Sequence, residues 1–314
     1  MSPASFRPRF DRAVRVAVGI ECVSLRNLDG PTEIEGDKMK DLNGKVALIT
    51  GGSRGLGKLL AEKFASNGAR VVLWARTQSD LDKAVEEFRG RGWDAYAYSV
   101  DVSDIDRVLE AASKVKEDVG IVDVLVNNAG VVHGGPFLEV STEDHRQTVE
   151  INFNAQMWTM KAFLPDMVER NSGHVINISS AAGLSYSPLM TSYCGSKAAV
   201  INFTDAIRLE MKCLGKDGVK FTIVAPAFIK TGMFEGVKTP FWLPWLEPDK
   251  LAEKIYRGYQ REAEMVAEPA FPKLAPIIRA NTSRRALDYF QTLFGLSESM
   301  KEWRGHESNR EQKH

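Results

Sequence analysis

The sequence predicts an α/β fold: a single doubly wound parallel sheet of about seven strands flanked by helices. Three observations carry this expectation. From Lys45 onward, short β-branched runs alternate with longer helical patterns, as repeated βαβ units require. The first of these runs leads through a glycine-rich turn directly into a helical pattern. The composition, 44% hydrophobic and 26% charged over 314 residues, is that of a chain able to bury a sizeable core.

Strands are expected at 46–50, 70–74, 95–99, 124–126, 174–178, 220–224 and 265–267. Between the first three, Leu56, Leu59, Leu60 and Phe64, then Leu81, Ala84, Val85 and Phe88, recur at three- and four-residue steps, the spacing of helices packed on a sheet. Gly68 and Gly90 stand where those helices should end. After Pro226 the alternation breaks. Pro240, Phe241, Trp242, Leu243, Pro244, Trp245, Leu246 and Pro248 form an insertion too apolar for a solvated loop. The chain therefore divides into an N-terminal arm (1–41), an α/β domain (42–270) with an aromatic lid (231–248), an amphipathic helical extension (271–300) and a polar tail (301–314). The arm is Arg-rich around a short apolar stretch, but Asp11 and Glu21 break a targeting pattern.

Lys and Arg total 41, as do Asp and Glu, so there is no net positive charge to draw the chain to a phosphate backbone, and no nucleic-acid partner is expected. Cys22, Cys194 and Cys213 are too few and scattered for a disulfide framework, and the five histidines lack metal-ligand spacing, so no metal is expected. No apolar run reaches the roughly 18 residues of a membrane span. A cytoplasmic protein is expected, with peripheral membrane contact open to the extension.

The turn Thr50-Gly51-Gly52-Ser53-Arg54-Gly55-Leu56-Gly57 lets the backbone bend sharply and lets a pyrophosphate approach a helix N-terminus, where free N–H groups favour an anion. A dinucleotide fold selective for NAD places an acidic residue after its second strand; here Trp74-Ala75-Arg76 has none. Arg76 and Arg54 offer forked cations for a 2′-phosphate, which points to NADP(H). Asp101 and Val102 follow the third strand, and Asn127-Asn128-Ala129-Gly130 the fourth, both at strand carboxyl ends where such sheets bind ligands.

Tyr193 and Lys197, four residues apart, share one helix face. An ammonium beside a phenol is expected to lower the phenol's pKa from about 10 toward the range of an acid/base catalyst. Ser180, thirteen residues before Tyr193, follows the fifth strand, where a hydroxyl can hydrogen-bond a substrate oxygen. Cys194, next to Tyr193, reads as a small buried helix residue.

With these motifs in chain order, the sequence resembles the short-chain dehydrogenase/reductase family over roughly 42–267. The matching elements are Thr50-Gly51-x-x-x-Gly55-x-Gly57, Asn127-Asn128-Ala129-Gly130, Tyr193-x-x-x-Lys197 and Pro226 through Thr231. The resemblance implies a Rossmann-type sheet and a Ser-Tyr-Lys-Asn tetrad. By position these are Ser180 orienting a carbonyl, Tyr193 as general acid/base, Lys197 holding the nicotinamide ribose and tuning Tyr193, and Asn152 supporting a proton-relay water. Asn152 is chosen over Asn154 because the family's asparagine precedes an apolar and then a small residue. Cofactor contacts are expected from Gly51, Ser53, Arg54, Gly55, Leu56, Gly57, Arg76, Asp101, Val102, Asn128, Ala129, Gly130, Tyr193, Lys197, Pro226, Ile229 and Thr231. The family's usual Pro-Gly is here Pro226-Ala227, which puts the turn under the nicotinamide in question.

The reaction implied is hydride transfer between NADP(H) and an alcohol or carbonyl carbon. Met233, Phe234, Phe241, Trp242, Leu243, Trp245 and Leu246 are expected to wall a pocket for a large apolar substrate. This segment is similar to the retinol and 17β-hydroxysteroid dehydrogenase branch, which implies a steroid, retinoid or long-chain carbonyl. A 3-oxoacyl-thioester reductase and a non-catalytic NADP-binding scaffold are the alternatives. The family also implies a homodimer or homotetramer, and the extension, with Phe271, Leu274, Ile277 and Ile278 among arginines, is expected to be an amphipathic helix serving as lid or subunit contact.

Overall fold

In chain order the strands are β1 (Val46–Thr50), β2 (Arg70–Ala75), β3 (Ala95–Ser99), β4 (Val124–Asn127), β5 (Gly173–Ile178), β6 (Val219–Pro226) and β7 (Met265–Glu268). The helices are α1 (Gly55–Ser66), α2 (Gln78–Gly90), α3 (Ile105–Asp118), α4 (Thr142–Val149), α5 (Ala155–Glu169), α6 (Ala181–Leu184), α7 (Thr191–Cys213), α8 (Pro248–Gln260), α9 (Ala275–Asn281) and α10 (Arg284–Leu293). The computed structural model describes residues 40–304 except Phe241 and Phe294. The arm up to residue 39, Phe241 of the lid and the tail from 305 lie outside the described residues.

All seven expected strands are present and form one all-parallel sheet in the order β3-β2-β1-β4-β5-β6-β7. Strands such as β1 are buried throughout, and apolar but for Thr50, because helices cover both faces of the sheet. On one face α1, α2 and α8 bring Leu60, Phe64, Leu81, Phe88 and Ile255 against it; on the other, α3 and α5 bring Val108, Val115, Met160 and Phe163. Phe64 is fully buried, its ring edge-on to Tyr256 and Tyr259 at 5.5 and 5.2 Å. The second helix ends at Gly90 as expected, and the chain turns away at Gly92, whose φ is +79°.

Helix ends also prepare the site. Asp104 caps α3 by accepting from the N–H groups of Asp106 and Arg107, and Ser141 caps α4 by accepting from Asp144. By contrast α1 has no side-chain cap and no acidic residue in its first turn, so its terminal N–H groups are left to a ligand. Strand order reverses between β1 and β4, which opens a crevice beyond their carboxyl ends.

The extension departs from the single amphipathic helix expected. A 3₁₀ turn at Phe271–Leu274 leads into α9, the chain goes extended at Thr282, and α10 follows. Ser283 explains the break, since its hydroxyl accepts from the Ala286 N–H at 3.3 Å and starts a new helix. The apolar side chains Leu274, Ile277, Ile278, Tyr289 and Leu293 are exposed rather than folded over the crevice. No helix among the described residues is long and apolar enough to cross a membrane.

Candidate active site

Above the reversal of strand order lies a cleft of about 710 Å³. One end of it is backbone. Gly51 and Gly55 adopt left-handed φ of +64° and +55°, which turns β1 into α1. Gly57 stands behind this turn, where a Cβ would come within 2.2 Å of the Gly51 carbonyl oxygen. The turn is stapled to β4: Thr50 Oγ1 accepts from the N–H groups of Asn128 and Ala129 at 3.0 Å each, while Asn128 Nδ2 donates to the Thr50 carbonyl at 2.9 Å. Beside the cleft a satisfied chain of buried polar groups joins α5, β4, β5 and α7. Thr159 donates to Asn127, Asn127 to Asn177, and Asn177 to Thr204.

Of the residues expected to contact a cofactor, all but Gly57 line this cleft. Arg54 and Arg76 are exposed at its outer end, where Asp80 also lies. Asp101 faces the same end while its carboxylate accepts from the Ser103 N–H and hydroxyl. At the inner end are Gly130, Pro226, Ile229 and Thr231. Ala227, the departure from Pro-Gly, donates its N–H to the Glu268 carbonyl at 2.8 Å and has no positive φ, so alanine fits without strain.

Tyr193 and Lys197 share the inward face of α7 and are 5% and 4% exposed, yet both line the cleft. Lys197 Nζ donates to the carbonyl of Ile178, the last residue of β5, at 2.9 Å and lies 5.7 Å from the Tyr193 ring centroid. Ser180 caps α6 by accepting from the Ala182 N–H at 3.1 Å, donates to the Pro226 carbonyl at 3.3 Å, and lines the cleft together with Tyr193. Burial dominates the titration of both residues. It pushes Tyr193 up to about 12 against the opposing effect of the Ser180 hydroxyl, and it lowers Lys197 to about 8. The phenol is therefore not pulled down as expected from its neighbour. The ammonium is bound to Ile178, and desolvation of the phenol outweighs the favourable effect of the hydroxyl.

Asn152 is fully buried beside the cleft. It sits in a π-helical turn at Glu150–Asn154 that re-aims its side chain behind the cleft wall. There Oδ1 accepts from the Val131 N–H at 2.8 Å and Nδ2 donates to the Val131 carbonyl at 3.0 Å. Asn154 is bound to Glu150 instead. Sequence reasoning missed Gln156, whose Nε2 donates to the Asn152 and Ile178 carbonyls, so Ile178 serves both Gln156 and Lys197. A Gln four residues past the asparagine on a buried helix face was the available signal.

Against Ser180 and Tyr193 lies a second, apolar chamber of about 70 Å³, walled by Met190, Phe228, Phe234, Leu243 and Leu296 among others. Of the aromatic lid, Phe234 lines both cavities and Met233 the cleft. Trp242 and Trp245 pack elsewhere, on Phe271 and Phe228, and Leu246 bridges to Ile229, so these three secure the lid rather than wall the pocket. Among the described residues there is no group of three or more metal-ligating side chains.

The fold and these motifs define a dinucleotide-type α/β oxidoreductase, and comparison with known proteins gives the family. A short chain dehydrogenase model matches residues 45–240, and the chain belongs to that family. It is 42% identical to human (Homo sapiens) epidermal retinol dehydrogenase 2 over 226 residues, 71% of this chain and 73% of the relative. It is 36% identical to estradiol 17-beta-dehydrogenase 11 of Mus musculus over 250 residues, 80% of this chain and 84% of the relative. Among solved structures, a short chain dehydrogenase/reductase from Burkholderia phymatum in complex with NAD superposes with a TM-score of 0.70 at 26% identity, covering 81% of this chain and 97% of that one. An alcohol dehydrogenase from the archaeon Thermococcus sibiricus complexed with 5-hydroxy-NADP gives 0.64 at 29% identity, covering 71% and 95%.

Proposed function

We propose that the protein is an NADP(H)-dependent oxidoreductase that interconverts an alcohol and a carbonyl on a hydrophobic substrate of steroid, retinoid or long-chain type. One observation carries the reading: Ser180 and Tyr193 stand in the wall shared by the cleft and the apolar chamber. The cleft fits a dinucleotide, since α1 presents an uncapped N-terminus to it behind a turn in which Gly57 has no room for a Cβ. Gly51, Ser53 and Gly55 would hold the pyrophosphate, and Ile229 and Thr231 the nicotinamide end. Arg54 and Arg76, with no acidic residue closing β2, support a 2′-phosphate and hence NADP(H).

When bound, the reduced cofactor supplies the hydride. Tyr193, kept protonated at neutral pH by burial, gives its proton to the carbonyl oxygen while the Ser180 hydroxyl hydrogen-bonds that oxygen. Lys197, fixed by one N–H to Ile178, keeps two donors for the ribose and for returning a proton to Tyr193. Asn152, clamped to both backbone groups of Val131, is a positioning residue that supports a proton-relay water.

The names of the relatives, retinol and estradiol dehydrogenases, support an apolar substrate. The exposed apolar side chains of α9 and α10 beside Arg279, Arg284 and Arg285 support peripheral membrane contact by a cytoplasmic protein. The family resemblance supports a homodimer or homotetramer, which sedimentation would measure. The deciding experiment is an NADPH-oxidation screen over steroid ketones, retinal, long-chain aldehydes and 3-oxoacyl thioesters, with Tyr193→Phe as control. Turnover of apolar carbonyls above that control is expected. Turnover of thioesters alone would favour the acyl-thioester alternative, and none at all the scaffold.

A further inference from the structure

We propose that Trp303 is the specificity-determining residue of the substrate site, seated on a strap, residues 296–304, that closes over the chamber. The proposal rests on the oxidoreductase reading above and names the substrate class it favours: a slender apolar chain rather than a rigid polycyclic ketone.

The chamber against Tyr193 holds about 70 Å³, whereas sites for drug-sized ligands span roughly 300–1,000 Å³. Its walls of different origin cannot give equally. Ser180, Tyr193 and Phe228 stand on or next to the sheet and α7, while Leu296 and Ser299 belong to the strap. The strap is zipped to the lid. Lys238 donates its N–H to the Ser299 carbonyl at 3.1 Å, Arg304 donates to the Glu235 carbonyl at 2.9 Å, and Lys238 pairs with Glu302. Trp303 Nε1 donates to the Met233 carbonyl at 3.1 Å, which holds the indole against the cleft beside Phe234.

Two glycines leave room for this strap. A Cβ on Gly134 would lie 3.0 Å from Trp303 Cε3, so the ring rests on bare backbone. A Cβ on Gly236, where φ is +84°, would come within 2.1 Å of the Glu302 carbonyl oxygen, and Gly236 lies outside both cavities. The indole thereby limits how far a bound molecule extends from Tyr193 toward the cleft mouth. A flexible chain bends past it; a fused ring system does not.

The test compares kcat/KM for decanal and for a steroid ketone, with NADPH, in the full chain and in Trp303→Ala, Trp303→Phe and Gly236→Ala. Thermal melting and NADPH titration report folding of each variant. Trp303→Ala is expected to shift the ratio toward the steroid ketone by roughly tenfold or more, the scale of a few missing contacts in an apolar pocket. Trp303→Phe, which keeps a ring but loses the bond to Met233, should fall between. Gly236→Ala unseats the strap from outside and should move the ratio the same way, which keeps the proposal open to failure if the Trp303 variants do not fold. An unchanged ratio with turnover intact overturns the assignment and leaves the oxidoreductase reading standing. Absence of turnover by the unmodified protein with every carbonyl overturns both.

Discussion

At the glycine-turn end the cleft wall is largely main chain and glycine, held in place by β1, α1 and β4. At the substrate end it is made of large side chains on two segments, the lid and the strap, that meet only through tertiary contacts. The contrast separates what the sheet imposes from what this chain adds. The glycine turn and uncapped α1 suit any dinucleotide, whereas Phe234, Leu296 and Trp303 decide what else can enter.

The sharpest break of this contrast falls between the two ends. Tyr193→Phe should lower turnover by roughly 10²–10⁴-fold while NADPH titration remains saturable, which steady-state kinetics and fluorescence measure together. At the ribose end, Arg76→Asp should cut the preference for NADPH over NADH by about tenfold to a hundredfold, as loss of charge-assisted hydrogen bonds predicts. Unchanged NADPH affinity in that variant would refute the cofactor assignment. Gly57→Val should cost about 1–3 kcal/mol in a denaturant melt, because its side chain meets the Gly51 carbonyl. The smallest effect is in pH. Lys197 is an ammonium below about 8 and neutral above it, so reduction should fall to half near that pH. Lys197→Arg should move this alkaline limb upward if the charge is what matters.

Legibility in the sequence follows the same division. The strands could be read because burial on both faces leaves long apolar runs, and Tyr193 with Lys197 because a spacing of four puts them on one face. The bonds from Asn152 to Val131 could not, since a π-helical turn shifts the phase that a regular helix would keep and the partner lies 21 residues away. The titration of this pair is not legible for a related reason: adjacency on a helix says nothing about desolvation, which governs both Tyr193 and Lys197. The break between α9 and α10 was signalled locally by Ser283 but hidden by the apolar periodicity around it. Trp303 looked like part of a polar tail because its partner Met233 is 70 residues away in the chain.

The stitch between Thr50 and Asn128 carries the pairing of β1 with β4 past its last ladder pair, Ile49 with Val126, to the very end of the strands. Entry and exit of a nucleotide must then proceed without the strand ends spreading apart. Amide hydrogens of Asn128 and Ala129 should accordingly exchange with heavy water as slowly as those inside the sheet, although they sit at the floor of an open crevice.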